Sequence, residues 1–176
     1  MGWVVLAVMM VLAVPLWAQD VSEAVLNKVK SDPAPFLTLA ANLIHGFGTE
    51  RGIDRAGVDR FVALEWAAAR ATALRRLQLA DLDFDGAVTR AEMAVLTASV
   101  AAKSRGRLWA LHEEADDDRD DTVSAAEMLT FGRAEAIRDF SAMDEALVRS
   151  VLTFDGNSDG YVSLDEVKSA VAALGT

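Results

Sequence analysis

The 176-residue chain contains no cysteine, two histidines, three prolines and a single tyrosine. Without cysteine there is no disulfide, no thiol nucleophile and no lipid anchor of the kind bacterial lipoproteins carry on a cleavage-site cysteine. Stability must then come from the apolar core and from bound ions rather than covalent staples. The two histidines, His45 and His112, make no zinc motif, because His112-Glu113-Glu114 lacks the second histidine of HExxH. Both are expected to be surface or helix-packing residues. No glycine-rich phosphate loop occurs, and with it goes the last sequence signal for an enzyme. Positive charge is scarce as well: 17 Lys and Arg stand against 27 Asp and Glu, a formal net charge of −10. A phosphate backbone would be repelled and no basic stripe is present, so nucleic acid is not expected as a partner.

What the chain does have is acid at regular offsets. Three twelve-residue stretches begin at Asp81, Asp116 and Asp155 and close at Glu92, Glu127 and Glu166, with starts 35 and 39 residues apart. The first carries Asp81, Asp83 and Asp85 at positions one, three and five, Gly86 at six, Val88 at eight and Thr89 at nine. The third repeats this with Asp155, Asn157, Asp159, Gly160, Val162 and Ser163. The middle stretch has Asp116, Asp118, Asp120, Val123 and Ser124, but Asp121 replaces the glycine. A hard divalent cation of calcium's size takes six to eight oxygens at about 2.3–2.6 Å, so a loop that holds it must curl and aim alternate residues inward. Glycine at six permits a positive φ, which aspartate can also visit at modest strain. The apolar residue at eight is placed to bridge to a neighbouring loop.

These stretches resemble the loops of the EF-hand family, the tandem helix–loop–helix calcium binders that include calmodulin and bacterial exported relatives. The resemblance implies side-chain ligands at positions one, three and five. It adds the backbone carbonyls of Ala87, Thr122 and Tyr161 at seven, Thr89, Ser124 and Ser163 at nine, and bidentate Glu92, Glu127 and Glu166 at twelve. It implies up to three Ca2+, with Mg2+ as the competitor. Lanthanide-binding relatives typically show proline at position two and aspartate at nine; here position two is Leu82, Asp117 and Gly156, so ordinary calcium is expected.

One further unit lies 35 residues before Asp81, at Gly46 to Gly57. It keeps the apolar Ile53 at position eight, but Gly46, Gly48 and Gly57 stand where ligands belong. It is expected to be a degenerate first hand that holds no ion and still pairs, Ile53 against Val88; a Gly-rich connector is the other reading. The fold expected is therefore all-α: four EF-hand units in two pairs with short β-bridges between paired loops. The division expected is a signal peptide at 1–18, an N-terminal arm at 19–35 that could be a tether or docking arm, a first pair at 36–104 and a second at 105–176. The joint is placed at Lys103-Ser104-Arg105-Gly106-Arg107, and the helix after Gly57 is expected to run unbroken into the 81–92 loop.

Residues 2–18 are uncharged and mostly apolar, shorter than the ~20 residues of a spanning helix, and Pro15 interrupts them before Ala18. They suit an export signal, giving a periplasmic or secreted protein; an uncleaved signal-anchor, with Trp3 and Trp17 at the interfaces, is the alternative. Every charged residue lies beyond this segment, and three divalent cations would neutralise six of the ten excess negative charges. The function expected is calcium binding in an exported, non-enzymatic sensor or buffer; calcium is the expected partner, and an unidentified protein target is a candidate second one. The alternative is a calcium-stabilised structural or protein-interaction module at the membrane or in the periplasm. Outside the segment at 1–18 only Met93, Met128 and Met143 remain, too few for a Met-rich target groove, and they are expected in ordinary core packing.

Overall fold

Local signals set the helix boundaries. In the computed structural model, which describes residues 22–174, Ser22 caps α1 (Glu23–Ser31) by accepting the Val25 N–H, and Lys28 and Lys30 sit in its last turn, where a helix favours positive charge. Asp32 breaks the helix and Pro33 opens α2 (Pro33–Phe47) at a position whose missing N–H costs nothing. Asp54 then caps α3 (Arg55–Gln78), its Oδ1 accepting the Gly57 N–H at 2.8 Å. The remaining elements are β1 (Val88–Thr89), α4 (Arg90–Thr97), α5 (Ala102–Ala115), β2 (Thr122–Val123), α6 (Ala125–Asp139), α7 (Ala142–Arg149), a 3-10 segment (Ser150–Phe154) and α8 (Leu164–Leu174). The described residues are thus mostly helical, with one two-stranded antiparallel sheet. Among them no helix is long and apolar enough to cross a membrane. The expected export segment, 1–18, lies outside the described residues.

The chain divides into two compact units. The first comprises, of the described residues, 22–58 and 147–174. Its core is built on α1, α2 and α8 together with the 3-10 segment, and Phe36 meets Phe154 with ring centroids 5.4 Å apart. Val25 and Val29 of α1 are each 1 % exposed. Burying both is worth on the order of 3 kcal/mol, enough to hold a nine-residue helix that would be marginal alone. Of the stretch expected as a tether or docking arm, residues 23–31 thus pack into this unit through Val25 and Val29.

The second unit, residues 59–146, is centred on a cluster that includes Leu74, Leu77, Val88, Met93, Val123 and Phe131. Gly132 of α6 lets the Leu74 side chain approach so closely that a Cβ there would meet it at 3.0 Å. Met93 and Met128 are buried as core residues, while Met143 is 40 % exposed.

Loop pairing differs from the sequence expectation. Val88 pairs with Val123 and Thr89 with Thr122, while Ile53 pairs with Val162 and not with Val88. The first and last loops pair, and the two middle loops pair. The expectation that the chain passes unbroken from Gly57 into the 81–92 loop was right, and it is what defeats the expected pairing. α3 offers no break at which the 46–57 loop could fold back on the 81–92 loop. For the same reason a division at 36–104 and 105–176 does not describe the units. The Lys103–Arg107 stretch is no joint either, since it lies inside α5; the chain turns at Ala98–Ala101 instead.

Candidate metal centres

The three acidic loops share one backbone conformation. Position four is left-handed in each, at Phe84 (φ 63°), Arg119 (62°) and Ser158 (60°), and so is position six, at Gly86 (83°), Asp121 (67°) and Gly160 (83°). A left-handed residue with a side chain costs roughly 1 kcal/mol, so three unrelated side chains adopt it only because the loop's hydrogen bonds over-determine it. Those bonds repeat. The position-one carboxylate accepts the N–H of position six: Gly86 to Asp81 at 3.2 Å, Asp121 to Asp116 at 3.0 Å, Gly160 to Asp155 at 2.9 Å. Position three accepts from five (Asp85 to Asp83, Asp120 to Asp118, Asp159 to Asn157), and position five accepts from seven (Ala87 to Asp85, Thr122 to Asp120, Tyr161 to Asp159). Each side chain thereby folds back over its own loop.

The closing glutamates tie the loop ends together. Glu92 Oε1 accepts the Leu82 N–H at 2.9 Å across ten residues, while Oε2 accepts the Thr89 N–H and hydroxyl at 2.8 and 2.9 Å. Glu127 does the same with Asp117, Asp118 and Ser124, and Glu166 with Gly156, Asn157 and Ser163. In the first two loops this is a capping box, so one carboxylate both starts the following helix and seals the loop. Ala87, Thr122 and Tyr161 stand one residue before Val88, Val123 and Val162, where each loop enters its bridge.

Opposed electrostatic forces act on these carboxylates. The backbone N–H of Ser124 and its hydroxyl, followed by the N–H groups of Asp118 and Asp117, outweigh desolvation and hold Glu127 down to about 2. The Thr89 N–H leads the same effect on Glu92. For Glu166 desolvation is the largest single influence and raises its pKa, but the donors of Ser163, Asn157 and Gly156 together outweigh it and leave it lowered. Asp118 goes the other way. Desolvation first, and then repulsion from Asp120, Glu127 and Asp116, raises its pKa.

Asp81, Asp83 and Asp85 each present an oxygen, all within 4.8 Å of one another, and so do Asp116, Asp118 and Asp120. Among the described residues, Asp81 Oδ1 is buried and has no hydrogen-bond partner. An unpartnered buried carboxylate oxygen is costly, and a hard cation at this all-oxygen cluster would satisfy it; the donor set therefore fits the metal that the sequence pattern implies. The 155–166 loop has the same bonding plan with one carboxylate fewer, because Asn157 holds position three.

The 46–57 segment is built for closure instead. Thr49 and Gly52 exchange both backbone hydrogen bonds, at 2.8 and 3.0 Å, pinching the loop shut. At Gly52 (φ 117°) a Cβ would lie 2.3 Å from the Val162 carbonyl oxygen, and at Gly57, the closing position, one would lie 2.7 Å from that of Phe47. Of the glycines at ligand positions, Gly48 and Gly57 have no room for a side chain, a Cβ at Gly48 falling 2.5 Å from the Ile44 carbonyl oxygen, whereas Gly46, in α2, has open space around it. Asp54, one of its two carboxylates, is used as the α3 cap.

Four features were not foreseen from the sequence. The left-handed position four lacks a residue signature, since Phe, Arg and Ser occupy it. Phe84 is 88 % exposed there. Arg90 of one middle loop bridges to Asp121 of the other at 2.9 Å, and Arg51 of the closed loop reaches Asp159 at 3.4 Å. His112, 1 % exposed, places Nε2 3.0 Å from the Val88 carbonyl oxygen, so it supports the bridge between the middle loops; His45 is exposed. No family model, curated protein or solved structure matches this chain.

Proposed function

We propose that the chain is a calcium-binding protein of the EF-hand type, with ions at the 81–92, 116–127 and 155–166 loops and none at 46–57. The observation that carries this reading is a single ligand-bearing backbone conformation, built three times from different residues, with a buried, unpartnered Asp81 oxygen at one of the clusters. The side chains of Asp81, Asp83, Asp85 and Glu92, of Asp116, Asp118, Asp120 and Glu127, and of Asp155, Asn157, Asp159 and Glu166 would hold the ions. The carbonyls of Ala87, Thr122 and Tyr161 would add to them, with Thr89, Ser124 and Ser163 at position nine. A bound divalent cation supplies positive charge where the carboxylates repel one another.

The protein's own groups do the rest. Ser and Thr donors keep the closing glutamates ionised, the bridges Val88–Val123 and Ile53–Val162 tie the loops in pairs, and His112 braces one bridge from α5. Nothing in this arrangement calls for catalysis, and we read the chain as a non-enzymatic exported sensor or buffer. A calcium-stabilised structural module is the second reading, favoured by the two core methionines. Native mass spectrometry with magnesium in excess tests the reading. Addition of three Ca2+ is expected, and a spectrum that gains no calcium at millimolar concentration overturns it. Micromolar affinity would then separate sensing from the structural role, in which sites of ~10⁻⁴ M suffice.

A further inference from the structure

Position five is treated differently in one of the three loops. In all three, Oδ1 of its carboxylate accepts the N–H two residues on. Among the described residues the second oxygen forms no ion pair in Asp85 or Asp120, but in Asp159 it receives the guanidinium of Arg51 at 3.4 Å. The same guanidinium lies over the Tyr161 ring, 3.9 Å from its centroid. Arg51 comes from the closed 46–57 loop, and the Ile53–Val162 bridge two residues on fixes where it emerges.

Resting on the calcium reading above, we propose that Arg51 is an affinity-setting residue: a tethered cation that competes with the metal ion for Asp159 and makes 155–166 the weakest of the three sites. Two features act together. The loop starts with fewer charges, three carboxylates against four in each of the others at positions one, three, five and twelve. It then has a fixed positive charge set against one of those three, held in place by the tyrosine face, which favours a planar guanidinium over an ammonium. A divalent ion entering the loop must displace Arg51 from Asp159 or bind beside it, and either lowers affinity. The closed loop, which cannot hold an ion, thereby sets the threshold of the loop it is paired with.

Both side chains of the ion pair are partly solvated, 58 % and 40 % exposed, so the effect is moderate and screened by salt. Arg51→Ala should tighten binding at this loop roughly threefold to tenfold, the range spanned by a surface pair and a repulsive charge beside a site. Arg51→Lys, which keeps charge but loses the planar stack, should fall between. The test is a calcium titration of the full chain followed by the backbone amide signals of Gly160, in this loop, and Gly86, in the 81–92 loop. In Arg51→Ala the Gly160 midpoint should move to lower calcium while the Gly86 midpoint stays fixed, and the gap from the unmodified protein should narrow as sodium chloride is raised.

Unchanged Gly160 midpoints in both variants, with Gly86 and Gly160 still responding to calcium, overturn the role of Arg51 and leave the calcium reading intact. Equal shifts at Gly86 and Gly160, or a gap indifferent to salt, overturn it too, since they mark a general change in the fold. No response at either glycine in the unmodified chain overturns both.

Discussion

The two loop pairs solve one problem in opposite ways. In the middle pair, 81–92 and 116–127, both loops carry four carboxylates at ligand positions, and in the second of them desolvation together with repulsion from its neighbours raises the pKa of Asp118. In the outer pair one loop has given up ligands for glycines that close it, and lends its partner an arginine instead. Both pairs join antiparallel at position eight, through a two-residue ladder in the middle pair and a single bridge in the outer one, while their electrostatics differ. Pairing is therefore a packing property, set by Ile and Val at position eight, and ion binding is a separate property laid over it.

The largest way to break this contrast is at the closing glutamates. Glu127→Gln keeps an acceptor for the Ser124 cap but removes the charged bidentate ligand, and calorimetry should show one site of the middle pair weakened on the order of 100-fold. Glu92→Gln should do the same to the other. In the outer pair the corresponding lesion is structural. Gly52→Ala puts a Cβ 2.3 Å from the Val162 oxygen at φ 117°, and urea denaturation should show a loss of about 2–3 kcal/mol in the first unit.

Acid provides a finer comparison. Glu127, held to about 2, stays ionised in the folded protein at a pH where the unfolded chain, with its ordinary value of 4.5, has taken up a proton. Its contribution is therefore complete above pH 4.5 and drains away as the pH falls toward 2, with Glu92 and Glu166 acting in the same direction. Melting temperature without divalent ions should accordingly drop through that window. A flat profile would mean the caps matter little. The smallest effect is expected at Asp121→Gly, where relief of left-handed strain (φ 67°) is offset by loss of the exposed Arg90 pair, leaving stability within about 0.5 kcal/mol.

Much of this was legible in the residues, but not uniformly. The three acidic loops, the unbroken α3, the break before Pro33 and the apolar position eight each follow from a local rule about ligand spacing, helix continuity or proline. The partner of Ile53 does not, because every loop offers a β-branched residue at position eight and local sequence is silent on which two will meet. Lys103–Arg107 read as a joint because glycine and charge mark turns on average, yet Gly106 lies within α5 and the turn comes at Ala98–Ala101, which carry neither glycine nor proline. The arginine contacts were invisible for the same reason: Arg51 and Asp159 are 108 residues apart and meet only through the pairing.

The most direct test of the account is a calcium titration by calorimetry with magnesium present, read alongside the fluorescence of Trp109, which packs against the middle pair's core and stacks edge-on to His112 at 6.1 Å. Two tighter sites whose filling changes the Trp109 signal, followed by a third, weaker site, are predicted. Absence of binding heat, or three sites of equal strength with no change at Trp109, would contradict it.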